Sequence, residues 1–353
     1  MQQFKLRALW DIILSQKAIL PLSLLLLASD GAASEFGTSH HSGIKDNAPK
    51  KTIAAGRTVT LRFSEQSIGG LYLVKVEPGG GLSENKQIAI AKDTVTAKIP
   101  FDKRLLLRCA GIVLRQPDLL DSIAPDDLDV LEISATPLDE LETFNGKELL
   151  KSIARLRGLS ILTLKQFPEA DFELRKLSNL KRLQRLTIEL CEIDGSCLKS
   201  LATLPELYDM DLSFNRLEPE NLRCIKEFRK LKRLVLHDCK LNDVAIASIA
   251  ECTNIEDLAL NRNAHLTDAS MKSIASMKNL RMLDLRFTHI TARGLRELSS
   301  LGQLAKLELS EEVISPDQKV ELKKRFPNTT IQYEKRASAV DNDTKRIFAP
   351  MPR

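Results

Sequence analysis

The 353-residue sequence predicts an α/β solenoid: a parallel β-sheet on a concave face, short helices on a convex face, and a small β-rich segment ahead of the array. Three observations predict it. An apolar anchor recurs at Leu131, Leu162, Leu186, Met210, Leu234, Leu258, Leu283, Leu307 and Ile331, at intervals of 31, 24, 24, 24, 24, 25, 24 and 24 residues. Apolar residues flank each anchor at fixed offsets. A second apolar set follows most anchors with the three-residue spacing of a helical segment. A period of this size means that each unit is one supersecondary element, able to bury its apolar face only by stacking on its neighbours.

The strand comes first in each unit. Leu128, Leu159, Leu183, Leu207, Leu231, Ile255, Leu280 and Leu304 precede their anchors by three residues, and Ile133, Leu164, Ile188, Leu212, Leu236, Leu260, Leu285, Leu309 and Tyr333 follow by two. The alternation describes a short strand with one buried side. Five residues past the anchor stands a turn column of Thr136, Phe167, Cys191, Asn215, Cys239, Asn263, Thr288 and Glu312. The chain bends inward there, and its backbone groups need partners away from water. Asn supplies both donors and acceptors, Thr a hydroxyl, and Cys a small weak donor. Phe167 and Glu312 depart from the column. Thr136, Cys191, Asn215, Cys239, Asn263 and Thr288 are the expected structural set.

The helical part comes next. Leu198, Leu201 and Leu204 are spaced by three, as are Leu222, Ile225 and Phe228, and Ile246, Ile249 and Cys252; Met271, Ile274 and Met277 are displaced by the extra residue near Asn263. This spacing fits one buried face of a short α or 3₁₀ segment. Asn242, Thr267 and Thr291 stand where N-caps belong, and Pro219 stands at a first turn.

This grammar resembles the leucine-rich-repeat family, in its 24-residue cysteine-containing style LxxLxLxxC/NxxLTDxxLxxLAxL. Residues 258–268 (LALNRNAHLTD) carry it, with one inserted residue. The resemblance covers 128–333. It implies a concave sheet that binds proteins and names no partner. Residues 59–73 are also similar, more weakly, to the β-rich start of exported bacterial, planctomycete-like, repeat proteins.

The rest of the chain divides by composition. Lys5, Arg7 and Lys17 surround or precede an apolar run over 18–28 that ends near Gly31-Ala32-Ala33, so 1–33 reads as a signal peptide, with cleavage or retention left open. The run is shorter than the roughly 20 residues a bilayer span needs, and no stable membrane span is expected. An exported protein is expected, whether periplasmic, cell-surface or secreted. Residues 34–56 read as a flexible linker, and 57–109 as a small β-rich segment or cap, an antiparallel sheet built from runs at 57–63, 71–76, 87–91, 94–99 and 104–109. Residues 110–127 are then a junction, and 334–353 a polar tail. Seven surplus residues within 137–148 account for the 31-residue interval and form a seam or an edge insertion.

The sheet's outward columns supply the candidate binding residues: Arg185, Thr187, Glu189, Asp209, Asp211, Ser213, Arg233, Val235, His237, Asp257, Asn261, Asp284 and Arg286. Arg185, Asp209, Arg233 and Asp257 alternate in sign on neighbouring strands, which predicts a solvent-facing charge ladder or a polar recognition surface. Phe214 and Phe287 are expected at one edge. Lys181, Arg182, Arg229, Lys230, Lys232 and Arg233 make a basic edge where an envelope glycan is the alternative partner. Nucleic acid is disfavoured, because 52 Lys and Arg against 47 Asp and Glu leave only +5. No cofactor or metal motif is present, and the histidines His237, His265 and His289 lie in no nucleophile motif, so no enzymatic activity is expected. Among six cysteines, Cys191 and Cys239 lie two coils apart, too far to bridge; Cys197 and Cys224 are the least implausible pair.

Overall fold

The computed structural model describes residues 56–77, 81–135, 146–166 and 171–335. All elements below belong to one unit, Lys45–Glu334; of the other unit, Met1–Ile44 with Lys335–Arg353, only Lys335 is among the described residues. The expected leader, the linker before Gly56, Thr136, Phe167, most of the 137–148 insertion and the tail beyond Lys335 therefore lie outside the described residues.

Strands β1 (Arg57–Arg62), β2 (Gly69–Val76), β3 (Leu82–Ile90), β4 (Thr94–Ile99) and β5 (Arg104–Cys109) come first. The repeat strands follow: β6 (Val130–Ser134), β7 (Ile161–Lys165), β8 (Arg185–Glu189), β9 (Asp209–Asp211), β10 (Arg233–Val235), β11 (Asp257–Ala259), β12 (Met282–Asp284), β13 (Lys306–Ser310) and β14 (Thr330–Glu334). One 12-stranded sheet runs in the order β14 to β5 and then β2 and β3. From β5 to β14 every pair is parallel, and the anchors stand side by side: Leu107 opposite Leu131, Leu131 opposite Leu162, and so on to Leu307 opposite Ile331. A one-residue slip would turn the whole apolar column to the other face, so burial of the leucines fixes this register.

The solenoid therefore begins one coil earlier than the repeat grammar indicates. Leu107 is an anchor 24 residues before Leu131, although Arg104 and Cys109 stand where the flanking apolar residues belong. The expected junction is the return of that coil: a short helix Ile112–Arg115 and a 3₁₀ helix Pro117–Ser122, which bury Val113, Leu114, Pro117 and Leu120. Of the two readings of 57–109, a separate segment and a cap, the structure takes the cap. Strands β2, β3 and β5 extend the main sheet, with β2 antiparallel to both others, and only β1 and β4 form a separate antiparallel pair. Val59, Leu61, Ala97 and Ile99 of that pair are buried in the same core as the repeat leucines. They cover the open end of the stack, which an isolated repeat cannot leave exposed. Gly69 makes the junction possible: it has φ +147°, and a Cβ there would lie 2.0 Å from the Arg108 carbonyl oxygen.

The return segments are short helices, such as Asp243–Ile249, or one-turn helices running into 3₁₀ turns, such as Pro219–Leu222 into Arg223–Glu227. Each projects its three-spaced apolar residues into the core; Leu222, Ile225, Ile246, Ile249, Met271 and Ile274 are all buried. Fully burying such a side chain stabilises by about 1.5–3 kcal/mol. The caps form as the sequence predicts: Asn242 accepts from Ala245 N, Thr267 from Ala269 N, and Thr291 from Arg293 N. The caps also link coils. Asp243 accepts from Thr267 N and Oγ1 at 2.9 and 2.7 Å, and Asp268 accepts from Thr291 N and Oγ1 at 2.8 and 2.7 Å. The helix Pro316–Arg325, with its Ser315/Gln318 capping box, and strand β14 complete the C-terminal end.

The turn column is a continuous internal ladder. Asn215 Oδ1 accepts from Cys191 N and Ile193 N, and its Nδ2 donates to Ile188 O and Leu212 O. Cys239 Sγ donates to Leu212 O, and Asn263 repeats the pattern one coil pair later. Cys and Asn thus alternate with complementary roles. Four residues past the six anchors from Leu162 to Leu283 the backbone turns left-handed, at Gln166, Leu190, Phe214, Asp238, Arg262 and Phe287. The two cysteine coils need a second such residue, Glu192 and Lys240, and the two asparagine coils do not.

Candidate functional site

The sheet carries the candidate residues on the side away from the leucine core, as the two-residue alternation requires. Their exposure differs from expectation. Asp209, Asp257, Asp284, Ser213 and Val235 are buried, and Arg185, Thr187, Glu189, Asp211, Arg233, His237, Asn261 and Arg286 are half-buried. The expected solvent-facing ladder is corrected accordingly. Parallel strands stand only about 4.8 Å apart, so side chains in one column cover each other.

The column is a tight ion-pair chain. Arg185 Nε meets Asp209 Oδ2 at 3.0 Å, Asp209 Oδ1 meets Arg233 Nη1 at 3.0 Å, and Arg233 Nε meets Asp257 Oδ2 at 3.0 Å. The flanking aspartates hold the Arg233 guanidinium charged despite its burial. At the N-terminal end the same column turns apolar: Leu106, Val130 and Ile161 are buried with Val74, and beside them Arg185 Nη1 is buried without a hydrogen-bond partner. The other cations of the face are also engaged. Arg108 pairs with Glu132 at 2.8 Å, Lys165 with Glu189 at 2.6 Å, Lys306 with Glu308 at 3.0 Å, and Arg286 with Asp284 at 2.6 Å and with Glu334.

Asp211 differs from its neighbours. It sits at the end of β9 between Thr187 and Val235, and its Oδ1 accepts from Ser213 N and Oγ two residues further along the chain. Burial raises its carboxyl above the ordinary range; the Ser213 bonds offset part of that, and Glu189 adds to it. His237 is held toward its neutral form, by burial first and by Arg262. Its ring meets Phe214 edge-on at 4.6 Å, and the Arg262 guanidinium lies 5.9 Å from the centre of Phe287. Phe214 and Phe287 are thus half-buried packing partners at the sheet edge, in strained left-handed conformations that bulky side chains seldom adopt.

The basic edge is matched by carboxylates. Lys230 pairs with Glu206 at 2.9 Å, Lys232 with Glu256 at 2.6 Å, and Arg182 with Asp126 at 3.1 Å. A shallow groove on the helix side is lined by Lys272, Lys278 and Arg296. Lys278 Nζ there donates to Ala275 O at a helix end and to Ser300 Oγ, which is helix capping.

None of the six cysteines is joined in a disulfide, so Cys197 and Cys224 do not pair. Burial pushes the thiols of Cys109 and Cys239 well up, and that of Cys224 to about 11, so these thiols remain protonated and weakly nucleophilic. Among the described residues no group of three or more His, Cys, Asp or Glu side chains could hold a metal ion, and no helix is long and apolar enough to cross a membrane.

Sequence reasoning placed these columns but missed the pairing that buries them. The sign alternation at 24-residue intervals was its one visible signal.

The leucine rich repeat family model matches residues 229–290. Similar solved structures include two from Listeria monocytogenes. One is an internalin (inlF), 24% identical with a TM-score of 0.39, the match covering 52% of this chain and 48% of that one. The other is an internalin C2 (inlC2), 18% identical with a TM-score of 0.39, covering 52% and 72%. The match thus spans about half the length of the first of these. Comparison with curated proteins finds no match.

Proposed function

We propose that the chain, which the leucine rich repeat family model matches over residues 229–290, is an exported scaffold binding a protein partner through the outward face of its sheet. The observation that carries this reading is the fixed ion-pair chain Arg185–Asp209–Arg233–Asp257 beside Asp211, Val235 and His237. Side chains already held in one arrangement lose little entropy when a partner arrives, which is how a rigid surface gains affinity without large area. The N-terminal apolar run supports export. The glycan reading has less support, since Lys230 and Lys232 are already neutralised by Glu206 and Glu256.

The test is retention of a partner from native envelope extract by the full chain. Replacing Asp211 with Ala, Val235 with Arg and His237 with Ala together should abolish a stoichiometric complex while the far-ultraviolet spectrum is preserved. Undiminished retention by that folded triple variant would overturn the sheet-face reading. Loss of retention on reversing Lys230 and Lys232 to Glu would move the site to the basic edge.

A further inference from the structure

We propose that the sheet face takes a basic segment of its protein partner, with one lysine or arginine head seated on Asp211. This rests on the scaffold reading above and names the chemistry of the partner. The chain as a whole carries +5, yet the cations of this face are committed to its own carboxylates. Arg233 is close enough to act electrostatically on Asp211, but its guanidinium is held by Asp209 and Asp257 at 3.0 Å each. Among the described residues no Lys or Arg forms an ion pair with Asp211, and its bonded partner is the neutral Ser213. His237 is close enough to interact electrostatically with Asp211, and burial, with Arg262 beside it, lowers its pKa and so disfavours a positive charge there.

The walls of the position suit a long cationic side chain. Thr187 and Val235 stand directly beside Asp211 on the adjacent strands, small enough to leave the carboxyl approachable and able to line an alkyl stem. Phe214 lies three residues on in the same coil, braced by His237 at 4.6 Å, and its ring face attracts a cation. An acidic partner would instead meet the Asp211 carboxylate on a face whose Arg185, Arg233 and Arg286 are, among the described residues, each paired with the protein's own carboxylates. Charge complementarity of this kind governs which partners are admitted.

The full chain is titrated with a lysine decamer and, separately, a glutamate decamer, at an ionic strength of about 0.05 M so that screening is weak. The lysine peptide should bind and the glutamate peptide should not. Asp211→Asn, which keeps an oxygen for Ser213, should weaken the lysine peptide by about tenfold. Asp118→Asn, an exposed carboxylate in the 3₁₀ helix Pro117–Ser122, should leave it unchanged. Parental affinity in Asp211→Asn, equal weakening in Asp118→Asn, or preference for the glutamate peptide would each overturn the proposal. The two readings fail separately. Should the envelope partner be lost by the triple variant but kept at full affinity by Asp211→Asn, the scaffold stands and the cation anchor falls. Should the triple variant retain the partner, the scaffold reading falls, and the lysine titration still decides the Asp211 site.

Discussion

Asn263 joins its coil to that of Cys239: its Oδ1 accepts from Cys239 N at 3.0 Å and Leu241 N at 2.9 Å, while its Nδ2 donates to Leu236 O and Leu260 O at 2.8 Å each. The side chain is fully buried, so water cannot replace any of these bonds. Asn263→Ala leaves two N–H groups and two carbonyls without this partner and should destabilise by about 3 kcal/mol. Cys239→Ala removes only a weak thiol donor and should cost about 1 kcal/mol. Denaturant midpoints of the two variants check the order, and equal midpoints would refute it.

The ion-pair chain predicts an asymmetry between its aspartates. Removing Asp209 leaves Arg185 and Arg233 facing each other, whereas removing Asp257 leaves Arg233 its contact with Asp209. The arginine side chains are 18% and 25% exposed, so solvent screens part of the loss. Asp209→Ala should cost about 2 kcal/mol and Asp257→Ala about half of that. Thermal unfolding of both variants measures the difference; a larger loss in Asp257→Ala would contradict the pairing.

Asp211 predicts a stability that moves the other way. Its pKa in the folded chain lies above its unfolded value, so between the two values the folded state binds the extra proton. Stability contributed by this group therefore falls as pH rises through that window, and the penalty is complete above it. Asp211→Asn should be at least as stable as the parent near pH 7, with the gap closing as pH falls through the raised pKa. Melting temperatures across this range test it, and a variant less stable at neutral pH would sink the idea. A charge kept at a cost to stability is consistent with one kept for binding.

Gly294 and Asp268 are sterically coupled. A Cβ at position 294 would lie 2.3 Å from Asp268 Oδ1, the atom that caps Thr291. Gly294→Ala should cost about 1–2 kcal/mol by displacing that carboxylate. The double variant with Asp268→Ala should lose less than the sum of the two single changes, as read from a double-mutant cycle. Strict additivity would show that the contact carries no strain.

The repeat from Leu131 to Ile331, the inward and outward columns, the turn column from Cys191 to Thr288 and the helix caps at Asn242, Thr267 and Thr291 are all legible in the amino-acid pattern. Each of these is a local periodicity, and period alone decides which side of a strand or helix a residue occupies. Tertiary structure decided what periodicity does not encode. The coil at Leu107 escaped the grammar because Arg104 and Cys109 break it, and only pairing with Leu131 makes it a repeat. The burial of Asp209 and Asp257, and their sharing of Arg233, arise from strands brought side by side from positions 24 residues apart. Asp211 stands apart from that chain for the same reason: pairing is settled by three-dimensional proximity, and at its position Thr187 and Val235 bring no opposite charge.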